Sequence, residues 1–269
     1  MKTSKLSYER ATRMADVIKL LADGQADTKI ISGGQSLGPM MNLRLVNPTM
    51  LVDIKAIDEL RQIREEADAI IIGATVTHSE IEDGLVPDFT NGMMRHVARS
   101  IAYRAVRNIG TVGGSLVHAD PSADWIICLS VLGAEALVVS KNGNRSIPVA
   151  DLMTSAFEVA LQPDELLVSV RVPKLSSQAK WGYRKYCRKT GELASAMASA
   201  VIDMPRLVNR VVVGAVDNRP IVVADASNLI ADPSIAAKTI SGSGFIDDPI
   251  QARIHTGNLR RMLKELNCQ

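Results

Sequence analysis

Two short segments carry the residue types that could grip a phosphate-bearing ligand. Ser32-Gly33-Gly34-Gln35-Ser36 directly follows the apolar pair Ile30-Ile31. Gly110-Thr111-Val112-Gly113-Gly114-Ser115 follows an amphipathic run and packs three glycines into five residues. Glycine lets backbone approach a ligand closely, and successive N–H groups can turn toward an anion. The hydroxyls of Ser32, Ser36, Thr111 and Ser115 add further donors. Taken alone, a Gly-Gly pair with Ser or Thr is an ordinary turn. Two such loops, each leaving a strand or helix, point to one large ligand held from two sides. The spacing is not G-x-G-x-x-G, and no Walker lysine follows, which disfavours a simple NAD fold and a P-loop nucleotidase.

The wording around the loops is more specific than the glycines. Gly33-Gly34-Gln35-Ser36-Leu37 continues through Pro39-Met40-Met41 to Leu43-Arg44. Ile72-Gly73-Ala74-Thr75-Val76-Thr77-His78 comes next, then Arg107-Asn108-Ile109-Gly110-Thr111-Val112-Gly113-Gly114. Tyr183-Arg184-Lys185, Arg188-Lys189, Gly191-Glu192 and Ala194 follow later. In this order the segments resemble the FAD-binding medium subunit of molybdenum hydroxylases. That family includes the flavoprotein subunit of carbon monoxide dehydrogenase and the FAD domain of xanthine dehydrogenase.

The resemblance implies an α+β fold in two parts. A two-part FAD-binding domain of the vanillyl-alcohol oxidase/PCMH type would span 1–173, with subdomains of about 1–55 and 56–173. A small α+β domain with an antiparallel three-stranded sheet would span 174–269. FAD would be held non-covalently by Ser32, Gly33, Gly34, Gln35, Ser36 and Leu37, and by Thr111, Val112, Gly113, Gly114 and Ser115. Asp124, Leu167 and Lys185 would complete the contacts, with no catalytic residue and no metal ligand in this chain. A small subunit would carry two [2Fe-2S] clusters and a large subunit the molybdenum cofactor, in a dimer of heterotrimers. Electrons would leave the flavin for an external acceptor. Family members often place an aromatic side chain near Leu193, which would leave an aliphatic flavin environment here. Ser115 is often Asn in the family, so its backbone is the firmer contact.

The elements that must position these loops are readable from periodicity. Met14, Val17, Ile18 and Leu21 recur at helical spacing and predict a helix from Tyr8 to Ala22, stopped by Gly24. Lys29 to Ser32, Met50 to Ile54 and Ala69 to Gly73 read as strands. Met40 and Met41 read as core packing, while Arg44 either holds a carboxylate or faces water. Thr77 with Glu80 three residues on forms a capping-box pattern at a helix start. Asn91 to Arg107 reads as one helix, with Arg99, Arg104 and Arg107 off its apolar stripe, solvated or at a subunit contact. Asp124 reads equally as the dipole partner of a following helix and, through the resemblance, as a contact to a flavin ribose hydroxyl. His118 and Asp120 read as a loop-stabilising polar pair before a catalytic one. Asn142-Gly143-Asn144 predicts a hairpin turn, and Glu165 to Val172 a strand; Leu166 and Leu167 read as core packing or, through the resemblance, as packing on the flavin ring system. Beyond the connector Lys174 to Lys180, three strands and helices at Pro233–Ile240 and Pro249–Leu266 are expected. Arg184, Lys185, Arg188 and Lys189 form a basic cluster suited to a partner subunit or to phosphate.

Composition bounds the rest. The chain has 269 residues, 46% hydrophobic and 22% charged, as in ordinary globular proteins. A net charge of +2 and 3% aromatic residues argue against nucleic acid. No apolar run reaches the roughly 20 residues of a membrane span, and no secretory signal follows Met1, so the expected location is cytoplasmic. Cys128, Cys187 and Cys268 are odd in number and widely spaced, so any cluster chemistry is expected in another polypeptide. Two other readings stay open. One is a self-contained FAD oxidase or dehydrogenase using His118 as acid or base; the other is a flavin-free assembly or scaffold subunit.

Overall fold

Three buried clusters of apolar side chains organise the chain, and each follows from a different hydrophobic pattern. The computed structural model describes residues 3–24 and 27–268. In the first part, β1 (Ser7–Arg10), β2 (Thr28–Ile31) and β3 (Met50–Asp53) form a parallel sheet in the order β1-β3-β2. Helix α1 (Met14–Ala22) crosses between β1 and β2, and its fully buried Val17 joins Val52, Ile54, Ile57 and Leu60 in the smallest core. Helix α2 (Leu37–Asn42) follows the first glycine loop. The helix predicted from Tyr8 therefore begins only at Met14. Tyr8 to Arg10 extend instead along β3, register Tyr8↔Leu51, and Arg13 stays extended as the N-cap. Pairing along a sheet overrides the helical spacing at that end.

The middle of the chain builds an antiparallel five-stranded sheet in the order β4-β5-β10-β6-β7. Its strands are β4 (Ile63–Glu65), β5 (Ala69–Gly73), β6 (Glu135–Ser140), β7 (Gly143–Pro148) and β10 (Leu166–Pro173). A two-stranded ribbon, β8 (Met153–Ser155) with β9 (Glu158–Val159), lies between β7 and β10. Ser140 pairs with Gly143, so the hairpin turns on Lys141-Asn142, one residue before the predicted turn. Five helices connect β5 to β6: α3 (His78–Glu82), α4 (Met93–Ser100), α5 (Arg104–Arg107), α6 (Val112–His118) and α7 (Asp124–Leu132). All nine residues of α7 are buried, as its almost wholly apolar sequence requires. The single helix predicted over 91–107 is two, α4 and α5. Ala102 breaks it with φ of 40°. Short helix α8 (Val149–Leu152) covers the end of β7.

The last part is a four-stranded antiparallel sheet, β11 (Lys180–Tyr186), β12 (Ala196–Asp203), β13 (Val208–Gly214) and β14 (Ile221–Val223), in that order. Three strands are predicted; the fourth is missed because it has three residues and directly follows Pro220. Helices α9 (Ser227–Ala231), α10 (Ala236–Ser241) and α11 (Pro249–Asn267) complete the chain. Alternation in β12 sends Ala198 and Ala200 to a core against α11, and Met197 and Val201 to the core that contains α7. One core thus runs from the five-stranded sheet through α7 into the four-stranded sheet.

The start of α3 shows how local sequence fixes the site's frame. Thr77 Oγ1 accepts from Glu80 N at 3.3 Å, and Glu80 Oε2 accepts from Thr77 N at 2.7 Å. The capping box predicted from sequence is complete. Thr77→Ala should lower stability by about 1 kcal/mol, read by urea unfolding. An unchanged midpoint would show that the box contributes nothing.

Candidate functional site: a cleft between two glycine loops

The two glycine loops meet. Thr111 Oγ1 donates to Ser32 Oγ at 3.1 Å. A Cβ on Gly33 would collide with the Ile109 carbonyl oxygen and stand 2.8 Å from Gly110 Cα. Gly33 is therefore required by the other loop's backbone before any ligand is considered. Gly113 is similar, since a Cβ there would stand 2.6 Å from that of Ala74. Behind the second loop, Thr77 and Thr111 form an antiparallel bridge.

The loops differ in what their N–H groups do. In the second, Val112 N donates to Val76 O at 3.0 Å and Gly113 N to Ala74 O at 2.9 Å. Gly114 N donates to Thr111 Oγ1 at 3.2 Å and Ser115 N to Thr111 O at 3.0 Å. These four donors are spent on the scaffold, which corrects the expectation that this loop turns its N–H groups toward an anion. In the first loop, no chain atom among the described residues accepts from the N–H groups of Gly33, Gly34, Gln35 or Ser36. Gly34 sits at φ of +66°, and Gln35 Nε2 folds back to Gly33 O at 3.0 Å. A run of free amides beside a glycine in left-handed conformation is an anion-binding concavity.

Both loops line a cleft of about 770 Å³. Ser32, Gly33, Gly34, Gln35, Ser36 and Leu37 border it from one side, and Thr111, Gly113, Gly114 and Ser115 from the other. Val112 does not border it. As the first residue of α6 it turns its side chain into the core, where it is fully buried. Leu166 and Leu167 both border the cleft, while strand alternation sends Leu166 to the core of the parallel sheet and Leu167 to the core around α7. Met40, read as core, also borders it, while Met41 is buried and Arg44 is exposed.

Asp124 and Lys185 reach the cleft as a pair. Lys185 Nζ lies 3.0 Å from Asp124 Oδ2, with both side chains nearly buried. Asp124 Oδ1 also accepts from Tyr183 OH at 2.6 Å and Ser100 Oγ at 3.0 Å. Burial, reinforced by the Asp124 charge, pushes the Tyr183 hydroxyl well above its ordinary pKa, so it remains a donor. Lys185 is thus not a free cation. The basic cluster does not exist as one patch: strand alternation turns Arg184 to Glu265 at 2.6 Å, and Arg188 pairs with Glu192 at 3.3 Å. Arg107 is not solvated either. Its guanidinium grips Glu82 at 2.8 Å and donates to the carbonyls of Ile101 and Ala102 at the break between α4 and α5.

Asp120 and His118 do not act as a matched pair in the loop. Asp120 Oδ1 accepts from Ser122 N at 2.8 Å, and the His118 ring packs 5.3 Å from that of Phe157. Burial lowers the His118 pKa, with Asp120 opposing. The cleft also contains residues not nominated from sequence, among them His78, Ile101, Ala102 and Phe157. Their one sequence signal is the T-x-T-H segment; the helix break at Ala102 leaves none. Burial at Cys128 raises its thiol pKa, and the described residues contain no metal-binding group of three His, Cys, Asp or Glu.

Two outcomes follow from this geometry. Gly33→Ala should cost the cofactor-free chain about 1–3 kcal/mol by overpacking, read by thermal unfolding. If Gly33 serves only ligand approach, the cofactor-free chain keeps its stability. Burial, then the Arg107 charge, lowers the His78 pKa from 6.5 to about 4. The folded chain therefore binds this proton less readily than the unfolded chain. The resulting stability is full above pH 6.5 and lost as pH falls to about 4, ~3 kcal/mol in all. Urea unfolding across that window should decline less steeply in His78→Gln; parallel curves would contradict the assignment.

Known proteins are similar to this chain in sequence and fold. Residues 4–175 match the family described as FAD binding domain in molybdopterin dehydrogenase. The 6-hydroxypseudooxynicotine dehydrogenase complex subunit alpha of Paenarthrobacter nicotinovorans is 32% identical over 247 residues, 90% of this chain and 83% of that one. Carbon monoxide dehydrogenase from Hydrogenophaga pseudoflava, in a structure lacking the Mo-pyranopterin moiety of its molybdenum cofactor, superposes with a TM-score of 0.90 at 26% identity. That match covers 100% of this chain and 99% of the other. Quinoline 2-oxidoreductase from Pseudomonas putida 86 gives 0.87 at 30% identity, covering 99% and 98%. With the family match spanning most of the chain and including both glycine loops, this protein belongs to the FAD-binding medium subunits of the molybdenum hydroxylase family.

Proposed function

We propose that this chain holds FAD in the cleft between its glycine loops and passes electrons from [2Fe-2S] clusters of a small partner subunit to an external acceptor. The observation that carries the reading is the joint between Gly33 and the Ile109–Gly110 backbone, which closes the cleft and leaves the first loop's amides free. A pyrophosphate fits that donor set. The hydroxyls of Ser32 and Ser115 border the same space. Leu166 and Leu167 supply an aliphatic wall, and Leu193 at the rim, 68% exposed, supplies no aromatic cover. The Asp124–Lys185 pair offers a ribose hydroxyl the remaining capacity of a carboxylate whose charge is already balanced. When bound, FAD supplies one-electron acceptance and two-electron release; this chain positions it and leaves an edge open.

The same reading assigns substrate hydroxylation to a large molybdenum subunit, in a cytoplasmic dimer of heterotrimers. It divides the chain into a two-part FAD domain of the vanillyl-alcohol oxidase/PCMH type over 1–173 and a C-terminal domain over 174–269. No helix among the described residues is long and apolar enough to cross a membrane. A self-contained oxidase would need an acid or base at the flavin, and the half-buried His118 packed on Phe157 is its best candidate.

The test is anaerobic stopped-flow reduction of the assembled complex before and after FAD removal. Substrate should still bleach the iron–sulfur absorption without FAD, and only transfer to the external acceptor should stop. Loss of bleaching in an intact, FAD-free complex would mean that electrons enter at the flavin, and the self-contained oxidase would replace this reading.

A further inference from the structure

Beneath the joint between the loops lies a histidine that the reading above does not use. His78 is only 5% exposed, and it borders the cleft. Trp125 Nε1–H donates to His78 Nδ1 at 2.9 Å. An indole nitrogen can only donate, so this bond fixes Nδ1 as an acceptor without a proton. Burial and the neighbouring Arg107 keep the ring neutral, with a pKa of about 4. A neutral ring with bare Nδ1 carries its proton on Nε2.

The surroundings leave that N–H free. Among the described residues the bond from Trp125 is the ring's one hydrogen bond, and no chain atom accepts from Nε2. Gly110 lies over this edge of the ring, and a Cβ there would stand 2.8 Å from Nε2 and 3.0 Å from Cδ2. Gly110 Cα is the atom that faces Gly33 in the other loop. Gly110 therefore packs against both the Nε2 edge of His78 and Gly33, and His78 and the first loop border the same cleft. Arg107, the nearest cation, is turned to Glu82 and to the carbonyls of Ile101 and Ala102. Nε2 is not sealed in the core, because His78 borders the cleft, so a ligand held there can supply the missing acceptor.

We propose that His78 donates its Nε2–H to a pyrophosphate oxygen of FAD, completing the donor set begun by the amides of the first loop. The inference rests on the FAD reading above. Its acceptor is the phosphate rather than the ring system because Gly110 ties this edge of the ring to the loop that holds the free amides, whereas the aliphatic wall is at Leu166 and Leu167.

The test uses the full chain with ¹⁵N-labelled histidine, freed of cofactor and titrated with FAD or with riboflavin, which lacks phosphate. The cofactor-free chain should show the Nε2–H tautomer for His78. FAD should shift that signal and riboflavin should not. His78→Leu should weaken FAD binding about tenfold, move the ³¹P signals of bound FAD, and leave riboflavin binding unchanged. His78→Gln, which keeps a donor, should recover most of the affinity. An Nδ1–H tautomer, or equal shifts with FAD and riboflavin, would overturn the proposal. So would unchanged FAD affinity and ³¹P signals in the leucine variant. If that variant does not fold, the wild-type titration with the two ligands decides alone. Failure of the wild-type chain to bind FAD would remove the FAD reading itself, a separate and recognisable result.

Discussion

The site depends on a backbone-to-backbone contact. Gly33 lies against the Ile109 carbonyl and Gly110 Cα so closely that no side chain fits between them. Each loop is anchored elsewhere: the first follows β2 in the parallel sheet, and the second is bridged to Thr77 and runs into α6. The contact therefore ties the parallel sheet to the helices that follow the second loop. The hydroxyl bond from Thr111 to Ser32 adds direction to it. The loops also divide the work. The second spends its amides on Ala74, Val76 and its own cap, and becomes scaffold. The first keeps its amides for a ligand.

Helix α7 carries the cleft into the rest of the protein. Its N-terminal Asp124 binds Lys185 and Tyr183 of β11, and its other residues fill the core shared with β12 and β13. A buried ion pair is weak evidence for stability by itself, because desolvation offsets its attraction. Here its value is positional. It fixes the end of β11 against the end of α4, where Lys185 also donates to the Ser100 carbonyl at 3.3 Å. Arg107 restrains the adjoining carbonyls from the other side. The C-terminal sheet thus forms part of the cleft wall.

Much of this was legible in the sequence, and the gaps have physical causes. The capping box at Thr77 was visible because both partners lie within three residues. The loops were visible because glycine pairs beside hydroxyls are unusual in such an order. Their unequal use of amides was not, since it depends on where Ala74 and Val76 place their carbonyls. The pairing of Lys185 with Asp124 spans 61 positions, so four nearby cations read as one patch. The break at Ala102 was invisible because a non-glycine residue adopts left-handed backbone there, held by tertiary contacts. Val112 was grouped with its loop neighbours, but as the first residue of α6 it faces inward.

Amide hydrogen exchange resolved to single residues, with and without FAD, tests the central claim most directly. The account predicts that Val112, Gly113, Gly114 and Ser115 are protected in the cofactor-free chain and change little when FAD is added. Gly33, Gly34, Gln35 and Ser36 should exchange freely without FAD and become protected with it. Protection of the first loop before FAD is added, with the second loop gaining protection on binding, would contradict the assignment of donor and scaffold.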